Sequence, residues 1–535
     1  MNRRAERSKS GGFSFDFSDL SFVYTILFAL SLVLINPRGG NLGQIWTAPK
    51  FKVVIALTVL NLVILAGAAL TRRRQGSTQE SSPLGRLWRV GFGLWLAFLG
   101  SGAVTIFLSP VTFRSARIAN NEMGDGWLYW FCMATLVLSN ALILRRFPKL
   151  FRAQLYGFLL GGSLTVLAIF VQTVDWRIDF TDTSGRIYEA IENVRLLQTQ
   201  SSIPKSWMPI GFTSIRGHVG FIVAALGVLS LVCLVRGWVR KRYAWPLYAL
   251  FLISVYLTST RGVQLAFAIG MLYLLVRFWR APGGKRVMLI AFLPLILGGG
   301  LLASGVLNQG QQRKLPSLQA IVKNPIKFTS ARSNLWPSAV RGIRERPLFG
   351  WGFNGFGLAW PHVNNFKVRW IKHLARVPDP ERPGKTKPVY VERILRNNHS
   401  SFEYLGEDGN VYRVSNLTNK AHNIILDTTV SLGIVGAFVY ATLFIFFLIV
   451  TARGAAWGLE VVAVVYFVYG LTWFESAQYS HLTWWALSVG LAFYALPRAL
   501  AQNEVGRRAE GRTIVIAPGV IAPRVVKSSV TAPGD

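Results

Sequence analysis

The sequence predicts an all-α polytopic membrane protein of about twelve transmembrane helices, with a large extracytoplasmic loop between helices nine and ten. Three observations carry this. Of 535 residues, 52% are hydrophobic and only 15% charged, where a soluble chain gives about a quarter of its residues to charge. Twelve apolar runs approach or reach the ~20 residues that cross a bilayer. The cations that give a net charge of +34 come in clusters between those runs.

The runs lie near 20–36, 51–70, 88–108, 127–144, 154–174, 217–235, 243–259, 262–279, 287–307, 428–450, 457–474 and 482–497. The seventh and eighth are short and separated only by Thr260-Arg261. Sidedness follows from Arg3/Arg4/Arg7/Lys9, Arg72-Arg73-Arg74, Arg145-Arg146, Arg236/Arg240-Lys241-Arg242 and Arg277/Arg280/Lys285-Arg286. These fall at every second loop, the signature of cytoplasmic connections. The basic start runs into the first apolar stretch with no small-residue cleavage site, which reads as a retained span. Cys132 and Cys233 sit inside apolar runs and offer no disulfide framework.

The chain thus divides into a cytoplasmic N-terminus (1–19), nine helices (20–307), a large loop (308–422), three further helices (423–497) and a disordered cytoplasmic tail (498–535). The large loop holds 19 Lys/Arg against 7 Asp/Glu, a net of +12. Long loops translocate regardless of charge, and an outward-facing loop meets no nucleic acid. A smaller outer loop, 175–216, begins acidic with Asp175, Asp179, Asp182, Glu189 and Glu192. No internal repeat is visible, and a symmetric transporter tends to show one. Within the large loop, 330–346 reads as a helix capped by Ser330 or Ser333. The glycine-rich GWGFNGFG follows, then a Pro-rich stretch and a hairpin turning at Asp408-Gly409.

Charged groups near membrane ends are default candidates for function. Arg261 lies between the seventh and eighth runs, and a guanidinium suits a diphosphate through paired hydrogen bonds and permanent charge. Its plainer role is interfacial snorkelling. Arg332, four residues before Trp336, opens the loop helix, where a helix start favours phosphate; the plainer reading is a solvated charge. His422, followed by Asn423, stands where the loop meets the tenth run, and a neutral imidazole there can take a proton from a hydroxyl. A capping role is the alternative. Arg216 and His218 open the sixth run as a second pair, and Glu475 with His481 lies between the last two. His362, His373 and His399 read as exposed loop histidines without metal-ligand spacing. Gly350, Gly352 and Gly355 match a dinucleotide fingerprint but follow a helix in an outer loop, so they read as a tight turn against the membrane surface. There is no Walker sequence and no Asp-x-Asp, so neither ATP nor a sugar-nucleotide metal site is expected.

Three stretches, LTSTRG at Arg261, SARSNLWPSAVRGIRERPLFGWGFNGFG at 330–357 and AHNIILDTTVSLGIVGAF at 421–438, occur in an order that resembles the O-antigen ligase and polymerase superfamily of bacterial membrane glycosyltransferases. The resemblance spans 255–490. It implies that Arg261 and Arg332 grip the diphosphate of an undecaprenyl-linked glycan, and that His422 is catalytic, activating an acceptor hydroxyl. Arg216, His218, Glu475, Trp336 and Asn423 would be further substrate-binding positions. The stretch 365–420 departs from a compact family loop.

That activity needs no cofactor and no metal, because a polyprenyl-diphosphate sugar is already activated. A cationic clamp for the leaving diphosphate, one base and alignment suffice, and one base with one clamp gives a single, inverting displacement. The expected partners are the undecaprenyl-diphosphate glycan donor, a glycolipid or glycan acceptor and the lipid bilayer, with the site facing the periplasm at the bacterial inner membrane. A ligase using lipid A-core as acceptor leads; a polysaccharide polymerase and a protein O-oligosaccharyltransferase share the residues. The rival from another class is a polysaccharide flippase or exporter, which would need charges along a central path rather than gathered at the outer ends.

Overall fold

The computed structural model describes residues 17–39, 43–75, 83–109, 124, 126–173, 209–303, 332–363, 376–389, 391–397, 401–415 and 420–494. Helices α1 (Phe17–Val33), α2 (Ala48–Gln75), α3 (Pro83–Leu108), α4 (Trp127–Arg146), α5 (Leu150–Thr173), α6 (Arg216–Arg236), α7 (Lys241–Leu257), α8 (Arg261–Phe278) and α9 (Gly284–Ala303) come first. Then follow α10 (Arg332–Glu345), α11 (Gly355–Val363), strands β1 (Arg376–Pro378), β2 (Thr386–Pro388), β3 (Val391–Asn397), β4 (Ser401–Gly406) and β5 (Val411–Ser415). The chain returns to helix in α12 (Ile424–Arg453), α13 (Glu460–Gly470) and α14 (Ser480–Phe493).

The protein is all-α and multi-pass. A helix overlaps each apolar run of the sequence, and among the described residues seven are long and apolar enough to cross a membrane. The α7 and α8 runs separate at Thr258–Thr260, where Ser259 takes a left-handed φ of 46°. Helix α6 is the axis of the bundle: from Gly217 to Leu234 every side chain is buried. Around it α8 and α13 pack on one side and α5 and α7 on another, while α2, α4 and α14 form the adjoining layer. Their interiors are filled by aromatic and branched residues, with other apolar side chains left outward for lipid, such as Val63, Leu167 and Phe438.

Several polar groups inside this bundle are paired with one another, which hydrocarbon favours. Asn140 Nδ2 donates to Ser488 Oγ at 2.8 Å and Gln154 Nε2 to Asn140 Oδ1 at 2.7 Å, tying α4, α5 and α14. Lys50 is fully buried, and its ammonium donates to the carbonyls of Leu34, Trp46 and Phe212. It locks the short π-turn Gly43–Thr47 before α2 to the segment leading into α6.

The hairpin expected around Asp408-Gly409 is present as β4–β5, with Ser401 opposite Ser415 and Leu405 opposite Val411. Strand β3 extends it to an antiparallel sheet of order β3-β4-β5, and β1–β2 form a separate hairpin. The loop helix begins at Arg332, so Ser333 lies inside it rather than capping it. Ser330, His373, His399, the acidic residues of the smaller outer loop and the tail 498–535 lie outside the described residues.

The largest departure from plain helices is in α12. Gly433 has φ 69° and ψ −177°, so the helix is broken one turn into the membrane run. Such a break strands backbone groups that lipid cannot satisfy. The glycine-rich segment after α10 supplies the partners: Trp351 N–H donates to Val430 O (2.9 Å) and Gly352 N–H to Ser431 O (2.8 Å). In return Ile434 N–H donates to Pro347 O at 2.7 Å. Gly350, Gly352 and Gly355 therefore belong to a turn that docks against a broken helix, a more specific task than turning on the membrane surface.

Candidate functional site

The connection from α13 to α14 is where most of the sequence-chosen residues meet. Trp473 and Phe474 stack there with ring centroids 5.5 Å apart. His422 meets both rings edge-on, at 5.1 and 4.9 Å. His218, from the first turn of α6, meets the same pair at 6.3 and 5.5 Å. Asn423 Nδ2 donates to Leu471 O at 3.2 Å, fastening the start of α12 to this connection.

Two arginines arrive by one device. Arg216 opens α6 and Arg261 opens α8, both exposed, and each is followed by glycine. A Cβ at Gly217 would lie 2.9 Å from the Trp473 ring, and one at Gly262 would collide with Thr472 Oγ1. Glycine thus lets both helix starts press on Thr472-Trp473. Neither helix is capped by its N-cap side chain, Ile215 or Thr260. Two helix N-termini on one connection, each opened by an arginine, favour an anion.

His422 is held in a left-handed backbone conformation, φ 56°. A bulky residue adopts this only when its surroundings over-determine it. Asn423 Oδ1 accepts from Ile425 N–H (3.0 Å) and Leu426 N–H (3.2 Å), capping α12. Asp427 Oδ1 accepts from Ala421 N–H at 2.8 Å, pinning the residue before the histidine. His422 Nδ1 lies 3.1 Å from Lys420 O. A carbonyl only accepts, so Nδ1 carries the proton in this contact, and in a neutral imidazole that leaves the lone pair on Nε2.

Arg332 is placed as the first residue of α10, one turn ahead of Leu335 and Trp336. Leu335 packs in a cluster with Trp351, Trp360, Ala421 and Val430, and Trp336 and Leu426 pack against it. The start of α10 is therefore joined by this cluster to the start of α12. Glu475 directly follows Trp473-Phe474 in the chain. It is buried, and lines a cleft with Asn354, Lys420, Asp427, Ser431 and Tyr440. His362 is half-buried in α11, 5.6 Å from the Trp351 ring, and not an exposed loop residue. Its burial, with the nearby Arg346 charge second, lowers its pKa.

Sequence reading passed over Lys420, Asp427 and Asn354. Asp427 was visible as the acid five residues after His422, but only the fold shows it holding Ala421. Gln478 was missed as well: its Oε1 accepts from Ser214 N–H (2.9 Å) and its Nε2 donates to Thr47 Oγ1 (3.0 Å), securing the approach to Arg216.

Fold and site define a multi-pass membrane protein with cations and a base-competent histidine gathered at one end of its bundle. Residues 246–378, about a quarter of the chain, match the family model for O-antigen ligase. The matched stretch contains Arg261, Arg332 and Trp336 and ends before His422. No curated protein matches the chain. The match supports an enzyme of the ligase and polymerase kind, acting in polysaccharide assembly.

Proposed function

We propose that the protein transfers a glycan from an undecaprenyl-diphosphate carrier to an acceptor hydroxyl at the periplasmic face of the bacterial inner membrane. The ligase reading, with lipid A-core as acceptor, leads. The observation that carries the proposal is the meeting of Arg216, Arg261 and His422 around Thr472–Phe474, in a chain whose central stretch matches the O-antigen ligase family.

In this reading Arg261 and Arg332 hold the donor diphosphate, with Arg216 and His218 beside them. The acceptor oxygen attacks the anomeric carbon, its proton passes to His422 Nε2, and the bond to the diphosphate oxygen breaks. The leaving diphosphate takes the electron pair and keeps it against the arginines and the helix starts. Asn423 and Asp427 orient the imidazole. A single displacement inverts the anomeric configuration. The step consumes neither ATP nor metal chemistry, because the carrier diphosphate is the leaving group.

Purified protein given an undecaprenyl-diphosphate glycan and candidate acceptors, with a chelator present, tests this. Wild type should release undecaprenyl diphosphate and extend the acceptor, and His422→Ala should lose roughly 10²–10⁴-fold of that rate. The acceptor that reacts separates ligase from polymerase. Glycan translocation in liposomes without donor turnover would point to a flippase and contradict the proposal.

A further inference from the structure

The cleft beyond His422 has a composition unlike the rest of this basic chain. Asn354, Lys420, Asp427 and Glu475 line it, with Trp130 and Tyr440 among its aromatic walls. Two carboxylates against one ammonium leave it formally at −1, in a protein whose net charge is +34. Asn354 is 4% exposed and has a left-handed φ of 58°. Its side-chain oxygen lines the cleft with no hydrogen-bond partner among the described residues. A buried amide oxygen without a partner is costly, so a donor from outside the chain is its natural complement. The space open to a water-sized sphere is about 40 Å³. That admits one or two hydroxyl groups and excludes a whole sugar ring.

The geometry points to this cleft as the subsite for the reacting edge of an uncharged acceptor sugar, its hydroxyls inserted among Asn354, Asp427 and Glu475 and its ring left against the aromatic wall. The inference rests on the transferase reading. In-line displacement sets nucleophile and leaving group on opposite faces of the anomeric carbon. The helix starts that carry the arginines press on Thr472-Trp473 through Gly217 and Gly262. The cleft opens beside Lys420 and Ile424, which flank His422 in the chain, and Glu475, which follows Phe474. Carboxylates that accept paired hydroxyls select a polyol and repel a uronate or phosphate at that edge. The amide of Asn354 is a binding group here, with no part in bond making.

Saturation-transfer NMR on the full-length protein in detergent, with methyl glucoside, methyl galactoside and methyl glucuronide as probes, reads this without any donor. One of the neutral glycosides should bind at least ten-fold more tightly than the glucuronide. Asn354→Gly, which suits the positive φ, should weaken that binding about ten-fold at an unchanged melting temperature. If Asn354→Gly unfolds the protein, Glu475→Gln, which keeps the side-chain volume, must weaken it instead. Equal or tighter binding of the glucuronide, no binding of any probe, or variants that bind as wild type overturn the subsite. Transfer that persists while glycoside binding is absent removes the subsite alone; glycoside binding without transfer removes the transferase reading alone.

Discussion

The two ends of α12 handle positive charge in opposite ways. At its C-terminal end Arg277 Nε donates to Glu460 at 2.9 Å, the only ion pair among the described residues, and Tyr273 donates to the same carboxylate oxygen at 3.0 Å. Arg277 also reaches Ala452 O and lies over the Trp457 ring. Arg236 donates to Ala455 O and lies over Trp238 and Trp457. These guanidinium groups are consumed by the fold. At the His422 end, Arg216 and Arg261 are exposed at helix starts whose glycines press on the α13–α14 connection. The first arrangement ties a guanidinium into the fold, and the second leaves guanidinium-bearing residues exposed at the connection that His422 packs on. The same residue type reads both ways, and only its surroundings decide.

That contrast breaks most sharply on activity. Arg261→Ala should cost transfer about 10³-fold while the melting temperature stays within a degree or two, and Arg261→Lys should restore little, because a point charge does not reproduce a bidentate fork. Recovery of full activity in the lysine variant would reduce Arg261 to an interfacial charge.

Next in size is the joint between the ends. Gly433 takes φ 69° and ψ −177°, a region other residues essentially do not visit, and a Cβ there would strike the Leu348 carbonyl. Gly433→Ala should cost about 3 kcal/mol or more, seen as early melting and faster amide exchange across α10 and α11. Opening the Arg277 pair ranks below it. Glu460→Ala strands a partly exposed guanidinium, for about 2 kcal/mol of stability, and leaves the donor and acceptor KM of surviving protein as in wild type. A KM change would mean that this end is also part of the site.

Acid sharpens the comparison further. His362 has its pKa lowered from 6.5 by burial and by Arg346. The folded state therefore binds that proton less readily than the unfolded chain. Its stability contribution is whole above pH 6.5 and is lost as pH falls through the lowered folded value. Amide protection in α10–α11, measured relative to the intrinsic exchange rate at each pH, should fall between pH 7 and 5, and His362→Gln should flatten the change. The smallest effect is expected in the sheet: Tyr412→Phe removes an exposed bond to Asp408 and should alter neither turnover nor melting temperature.

Much of this was legible from hydropathy, because a membrane helix announces itself by composition alone. Each apolar run found its helix, and the Asp408-Gly409 hairpin was readable from its turn dipeptide. The break at Gly433 was not, because SLGIVGAFVY is uniformly apolar and nothing local says that a distant loop will supply its hydrogen bonds. For the same reason Gly350–Gly355 read as a turn without a destination. His422, Arg216 and Arg261 were found by charge at membrane ends. Their convergence depends on Gly217 and Gly262, which carry no chemistry of their own. Lys420, Asp427 and Asn354 were overlooked because polar residues beside a long polar loop look solvated until the fold buries them.

The most direct measurement sets the two ends against each other in one preparation. Release of undecaprenyl diphosphate and melting temperature are recorded for wild type, Arg261→Ala and Glu460→Ala. The account predicts that Arg261→Ala keeps the melting temperature and loses transfer, while Glu460→Ala melts earlier and, below its transition, transfers with wild-type KM. Full transfer by Arg261→Ala would contradict it.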